Sequence, residues 1–145
     1  MHAANATTEA DLFQIAARLR DEDAAESHAE GFSEPFAGLL WSCEMSEQTV
    51  TITIDGEPVG VWGYMDEQDG SCSVWCMGTD RLFANPIKMH RVSLLMRDEL
   101  LEYFDTIRNT VFRGNLTHIR WLESLGATFN ETGDPNFLEF EIIRK

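Results

Sequence analysis

Residues 109–129 read NTVFRGNLTHIRWLESLGATF. Thr110–Arg113 is a β-branched and aromatic run and predicts a short strand. Asn115 stands where a helix over Thr117–Leu125 would begin, and its side chain suits the cap that free helix N–H groups require. Ile119, Leu122 and Leu125 fall on one helical stripe, with Arg120 and Glu123 outside it. Gly126 suits the left-handed residue that closes a helix, and Ala127–Asn130 returns as a strand. The stretch is therefore a strand–helix–strand unit with tight joints, and it sets the chain in the mixed α/β (α+β) class.

Immediately upstream lies the longest helical pattern in the chain. Asn85 and Pro86 supply a cap and a first-turn proline, and the apolar period continues to about Ile107. Val92, Leu95, Met96, Leu100, Tyr103, Phe104 and Ile107 form its expected core stripe. Before it, Thr49–Ile54 and Pro58–Met65 flank Asp55-Gly56, a strong two-residue hairpin signal, and Cys72–Met77 forms the next strand. A strand, the long helix and Thr110–Arg113 make a crossover, which implies one parallel pair. The first third is helical: Leu12, Ile15, Ala16 and Leu19 make one stripe, Asp21–Ala29 a second helix, and Pro35–Met45 a third, with Ser33 as its expected cap. Phe137–Ile143 is the last strand, and no first strand is evident. No repeat, linker or low-complexity tract divides the chain, so residues 1–145 are expected to form a single domain, with 1–8 as a flexible N-terminus.

A chain of 145 residues can bury about 70% of its unfolded surface. No run approaches the roughly 20 apolar residues of a membrane span, and the start has neither the basic nor the apolar region of a secretion signal. Three unclustered cysteines fit reduced thiols, and Cys72 and Cys76, about 13 Å apart along one strand, cannot share a disulfide or a metal. An intracellular, soluble protein is expected. Net charge is −14 and lopsided: residues 1–80 hold 16 acids against Arg18 and Arg20, while residues 81–145 hold nine of each sign. That balance argues against direct nucleic-acid binding, which needs clustered cations, and permits steering of a basic partner.

DGEPVGVWG, SVWCMGTDRL, LLMRDELLEYFDT and the quoted stretch occur in an order and spacing that resemble a phage family, the internal virion protein A group of T-seven-like podophages and their prophage relatives. The resemblance covers roughly residues 10–130. The Asn115 helix and its Leu125-Gly126 ending also resemble the last motif of the GNAT (Gcn5-related N-acetyltransferase) fold. This likeness implies a mostly antiparallel central sheet with one parallel strand pair and helices on both faces. It implies a phage protein of the host cytoplasm or virion, acting through contacts with phage virion or host proteins in virion assembly or the internal virion core. The alternative it carries is a CoA-dependent N-acyltransferase acting on an amine of a host or phage substrate.

GNAT chemistry needs a glycine-rich turn for the cofactor pyrophosphate, a gap between splayed parallel strands for the pantetheine arm, and a tyrosine acid seven residues after the motif asparagine. Here the turn, GTDRLFANPIKMHR, has one glycine, Gly78, and the tyrosine position is Leu122. These departures favour a scaffold without standard catalysis, so no catalytic residue, no cofactor and no metal are expected. If CoA binding is retained, the resemblance places it on Cys76, Met77, Gly78 and Asn115, with Lys88 and Arg91 beside the helix start for phosphate. Arg81 and His90 complete that basic island. His118 is the best-placed group for acid–base work, and Cys76 could serve as a nucleophile only beside a thiolate-stabilising neighbour. The acidic first half and the rims around Trp41 and Phe36 are the candidate contact surfaces.

Overall fold

The computed structural model describes residues 2–4 and 7–145. Its strands are β1 (His2–Ala4), β2 (Gln48–Ile54), β3 (Glu57–Asp66), β4 (Ser71–Gly78), β5 (Thr106–Phe112), β6 (Thr128–Glu131) and β7 (Phe137–Ile143). Its helices are α1 (Glu9–Ala17), α2 (Asp21–Ala29), α3 (Pro35–Met45), α4 (Pro86–Tyr103) and α5 (Leu116–Ser124), with a 3-10 turn at Asp80–Phe83. The seven strands form one sheet in the order β1-β2-β3-β4-β5-β7-β6, antiparallel except for β4 beside β5.

The hairpin expected at Asp55-Gly56 joins β2 to β3, with both residues at positive φ (52° and 78°), the pattern of a type I′ turn. Alternation along β4, and a bulge at Val59 of β3 where the register against β2 shifts between Ile52 and Thr53, sort the core into two layers. Val61 and Met77 face α1 and α3, packing on Leu12, Ile15 and Leu39. Val59 and Cys76 face the other side, with Leu82 and Met89; Cys72 and Ile107 continue that layer under Leu100 and Leu125. Helices thus cover both faces.

Several expectations are corrected. A first strand does exist: β1 pairs antiparallel with β2, so the N-terminus contributes to the sheet, while Met1, Asn5 and Ala6 lie outside the described residues. The long helix stops at Tyr103, and Ile107 is buried on β5, which begins four residues before the expected Thr110. Asp105 breaks the helix by giving its N–H to the Gly70 carbonyl (2.8 Å) and accepting from the Arg144 N–H (2.9 Å), both across strand ends. The core face of α4 is Met89, Ser93 and Leu100; Leu95 and Tyr103, expected inside, are 72% and 76% exposed. Leu19 lies beyond α1 and bridges Thr79, and the residue capping α3 is Glu34, with no side-chain cap bond, rather than Ser33.

Candidate functional site

The parallel pair is short. β4 and β5 are in register only over Ser71–Ser73 and Thr106–Arg108, and beyond that the two strands diverge. Asn109 Nδ2 donates to the Val74 carbonyl at 2.8 Å, at the point where the strands part. Past it lies a cavity of about 230 Å³ whose walls include Cys76 and Val111 from the two strands, Glu26 from α2 and His118 from α5. The strand gap that the fold could offer a ligand is therefore present.

The far end of the gap is spanned by the protein's own side chains. Antiparallel alternation turns every second peptide of β4 away from β3; the Thr79 N–H bonds to Val59 (2.8 Å), so Gly78 faces the gap. Its N–H donates to Asp23 Oδ2 (2.9 Å), and its carbonyl accepts from the Arg20 N–H (3.0 Å). Opposite, the Phe112 N–H of β5 donates to Glu26 Oε1 (2.6 Å). Asp23 and Glu26, one turn apart on α2, thus bind the splayed ends of both strands.

Asp23 is fully buried, and its remaining oxygen is crowded. Oδ1 accepts from Arg20 Nη1 (3.0 Å) and Asn115 Nδ2 (2.9 Å), and lies 3.3 Å from His118 Nε2 without making a hydrogen bond to it. Arg20 is itself buried, stacked over the Phe83 ring at 5.0 Å. A buried charge pair of this kind holds only because each partner is hydrogen-bonded as well as neutralised. Asn115 does two things at once: its Oδ1 caps α5 by accepting the His118 N–H (3.4 Å), and its Nδ2 secures Asp23.

Burial dominates the titration of the group. Loss of hydration pushes Glu26 up to about 8, with Glu30 and Asp23 adding to the rise and the Phe112 N–H opposing it. The same cause depresses His118 below its ordinary value, against the pull of Asp23. Cys76 is pushed far up by burial, so its thiol is no nucleophile; Cys72, at about 12, and Cys43, at about 11, follow the same rule.

Of the residues singled out in the sequence, the fold brings Cys76, Gly78, Asn115 and His118 to the gap. Met77 also lines the cavity, while packing in the α1/α3 core. The freedom of Gly78 serves packing rather than ligand approach: a Cβ there would lie 2.4 Å from Leu82 Cδ2 and 2.9 Å from the Val59 carbonyl. Lys88 and Arg91 are exposed on the first turns of α4 and form no ion pair among the described residues. Arg81 is drawn off to Glu57 and Asp55, and His90 Nδ1 contacts Ser124 Oγ (3.1 Å). Leu122 is buried. The spacing of the sequence offered no metal set, yet ligand atoms of Asp23, Glu26 and His118 lie within 4.8 Å of one another. An ion on Asp23 Oδ1 would have to share that oxygen with the Arg20 guanidinium.

Sequence reasoning missed Arg20, Asp23 and Glu26. The signal was there: Asp23, Glu26 and Ser27 are spaced three and four apart, as a buried helix face is, with polar residues in place of apolar ones.

Comparison with known proteins now places the chain. Residues 48–132 match the family described as bacteriophage T7, probable scaffold protein Gp13. The chain belongs to this family. The probable scaffold protein gp13 of Escherichia phage T7 is 33% identical over 114 residues, covering 74% of this chain and 79% of that protein. Among solved structures, the GNAT domain of S. lividans PAT superposes with a TM-score of 0.71 at 12% identity, covering 98% of this chain and 89% of that one. A ribosomal-protein-alanine N-acetyltransferase from Brucella melitensis gives 0.66 at 15% identity, covering 99% and 100%. The fold of this family member is the GNAT fold, as the strand order and single parallel pair require. Among its described residues, no helix is long and apolar enough to cross a membrane.

Proposed function

We propose that the protein is a phage assembly protein that uses a GNAT fold as a non-enzymatic scaffold, working through protein–protein contacts in virion assembly or the internal virion core. The observation that carries this reading is the closure of the far end of the strand gap by α2. Gly78 and Phe112 present the backbone N–H groups at the gap's splayed end, and both are bonded to Asp23 and Glu26. A pantetheine arm entering there would have to displace two buried carboxylates, one of them neutralising a buried arginine. Two further features point the same way. The turn after β4 is a 3-10 segment whose Leu82 is buried between glycines, rather than an open cradle of N–H groups. Leu122, where a proton donor would stand, has no proton to give.

The phage relative's name supplies the biological setting, and the fold supplies a rigid body with an acidic helical layer for a partner to meet. The test is calorimetric titration with acetyl-CoA and with CoA at low and physiological salt, paired with thermal-shift measurement. No heat and no stabilisation are expected. Micromolar binding that survives salt would overturn the reading in favour of an N-acyltransferase. The observation favouring that second reading is the unpaired Lys88 and Arg91 at the start of α4. In that event Lys88→Ala with Arg91→Ala should abolish the affinity, because phosphate recognition there has no glycine cradle to fall back on.

A further inference from the structure

The cavity in the strand gap opens past α2 and α3, and its lining is chemically divided. Glu26 and His118 lie buried at one end. Glu30 and Trp41, at 47% exposure, stand where the lining reaches solvent. The rest of the lining is mixed: Met65, Val74, Val111 and Leu122 give an apolar wall, and Ser42, Asn109 and Thr110 add polar groups. Neither Glu26 nor Glu30 has an ion-pair partner among the described residues, although Arg20 is nearby and committed to Asp23 and Glu22. Two acidic side chains face one cavity with no cation between them, beside an open indole.

We propose that this cavity receives one lysine or arginine side chain from a basic segment of an assembly partner. The inference rests on the scaffold reading given above and names the kind of partner it needs. The aliphatic stem of such a side chain fits the apolar wall, its charge meets Glu30 and Glu26, and the Trp41 face adds a cation–π contact. Charge complementarity extends beyond the cavity. Residues 7–47, which carry α1 to α3, hold ten acids against Arg18 and Arg20. Arg20 is buried, and Arg18 pairs with Glu57. A basic segment crossing this layer meets acids along its length.

Glu26 gives the proposal a specific signature. Burial keeps it protonated at neutral pH, since its value stands near 8. A cation seated beside it reverses that balance, so binding releases a proton to solvent.

The experiment uses the full chain and three blocked tripeptides, acetyl-Gly-Lys-Gly-amide, acetyl-Gly-Arg-Gly-amide and the norleucine analogue. Indole N–H and backbone resonances are followed by NMR, and proton release by calorimetry in two buffers of different ionisation enthalpy. The cationic peptides should shift the Trp41 indole and the Asn109 and Thr110 amides, and the norleucine peptide should not. Glu30→Gln should weaken binding roughly tenfold, whereas Glu102→Gln, an equal change in net charge on exposed α4, should leave it unchanged. Glu26→Gln should abolish the proton release.

Equal weakening by Glu30→Gln and Glu102→Gln, or shifts that avoid the cavity, would overturn the proposal in favour of diffuse attraction. Its failure is separable from that of the scaffold reading. Loss of peptide binding in a protein that ignores CoA removes only the cavity assignment. Acetylation of the lysine peptide on adding acetyl-CoA removes the non-enzymatic reading and leaves the cavity as a cation site.

Discussion

Asp23 ties three elements together through one buried carboxylate. It bonds to Arg20, Asn115 and the Gly78 backbone while fully buried, so it connects α2, α5 and β4 at one point. Asp23→Ala would leave the buried guanidinium with only the half-exposed Glu22 to neutralise it, and the Asn115 and Gly78 donors unmet. Breaking a buried pair from one side costs about 3–5 kcal/mol, and urea denaturation should register a loss of that size. Glu26 and His118 make opposite demands on pH. Glu26 titrates at about 8 when folded against 4.5 ordinarily, so the native state holds its proton more tightly than the unfolded chain does. Its contribution is complete below pH 4.5 and is lost as pH rises through 8. His118 is depressed from 6.5, so it must charge in an unfavourable place, and stability falls as pH drops below 6.5. Glu26→Gln keeps an acceptor for the Phe112 N–H and removes the titration. Its stability should decline less between pH 5 and 8 than that of the parent, with a gain of at least about 1 kcal/mol at pH 8 by chemical denaturation.

At the scale of elements, one buried hydroxyl ties α4 to α5. Ser93 Oγ accepts from Trp121 Nε1 (2.8 Å) and donates to the Met89 carbonyl (2.6 Å), and it is buried. Ser93→Ala leaves the indole N–H without a partner, which costs about 1–3 kcal/mol, read as a lower urea midpoint together with a shift in tryptophan emission. Gly78→Ala should also destabilise by about 1–3 kcal/mol in thermal unfolding, because its Cβ meets the Val59 backbone as well as Leu82. These elements differ in how readable they were. Asp55-Gly56, Pro35, Pro86 and Gly126 each impose a backbone geometry that needs no tertiary partner, and the hairpin and helix boundaries they mark are where the sequence placed them. The end of α4 was misplaced because Phe104 and Ile107 keep the helical period while the break is made by distant groups, Gly70 and Arg144. The polar face of α2 was passed over for a related reason. A row of acids at helical spacing looks like a solvated surface until Arg20, Asn115 and two strand ends are known to meet it. Cys76, Gly78, Asn115 and His118 were found because a family motif marked them; Asp23 and Glu26 lie outside any such motif.

For the molecule as a whole, charge rather than packing is the exposed variable. All of the net −14 resides in residues 1–80, and residues 7–47, which carry α1 to α3, hold ten of the sixteen acids there, Asp23 and Glu26 among them buried. Exposed acids such as Glu9, Glu34, Glu44 and Glu47 have no cation opposite them among the described residues. A compact body of one sign repels itself, and the repulsion is screened over about 10 Å at 0.1 M salt and about 3 Å at 1 M. The buried Arg20–Asp23 pair is shielded from ions and keeps its strength, so screening acts mainly on the repulsive surface terms. The melting temperature should therefore rise by several degrees between 10 mM and 500 mM sodium chloride. The same salt should weaken attachment of the basic tripeptides, because screening removes the attraction that gathers them at the acidic layer. A melting temperature that fell over this range would mean that attractive surface pairs such as Arg108–Asp69 and Arg144–Asp105 outweigh the repulsion, and that the acidic layer is already balanced within the fold.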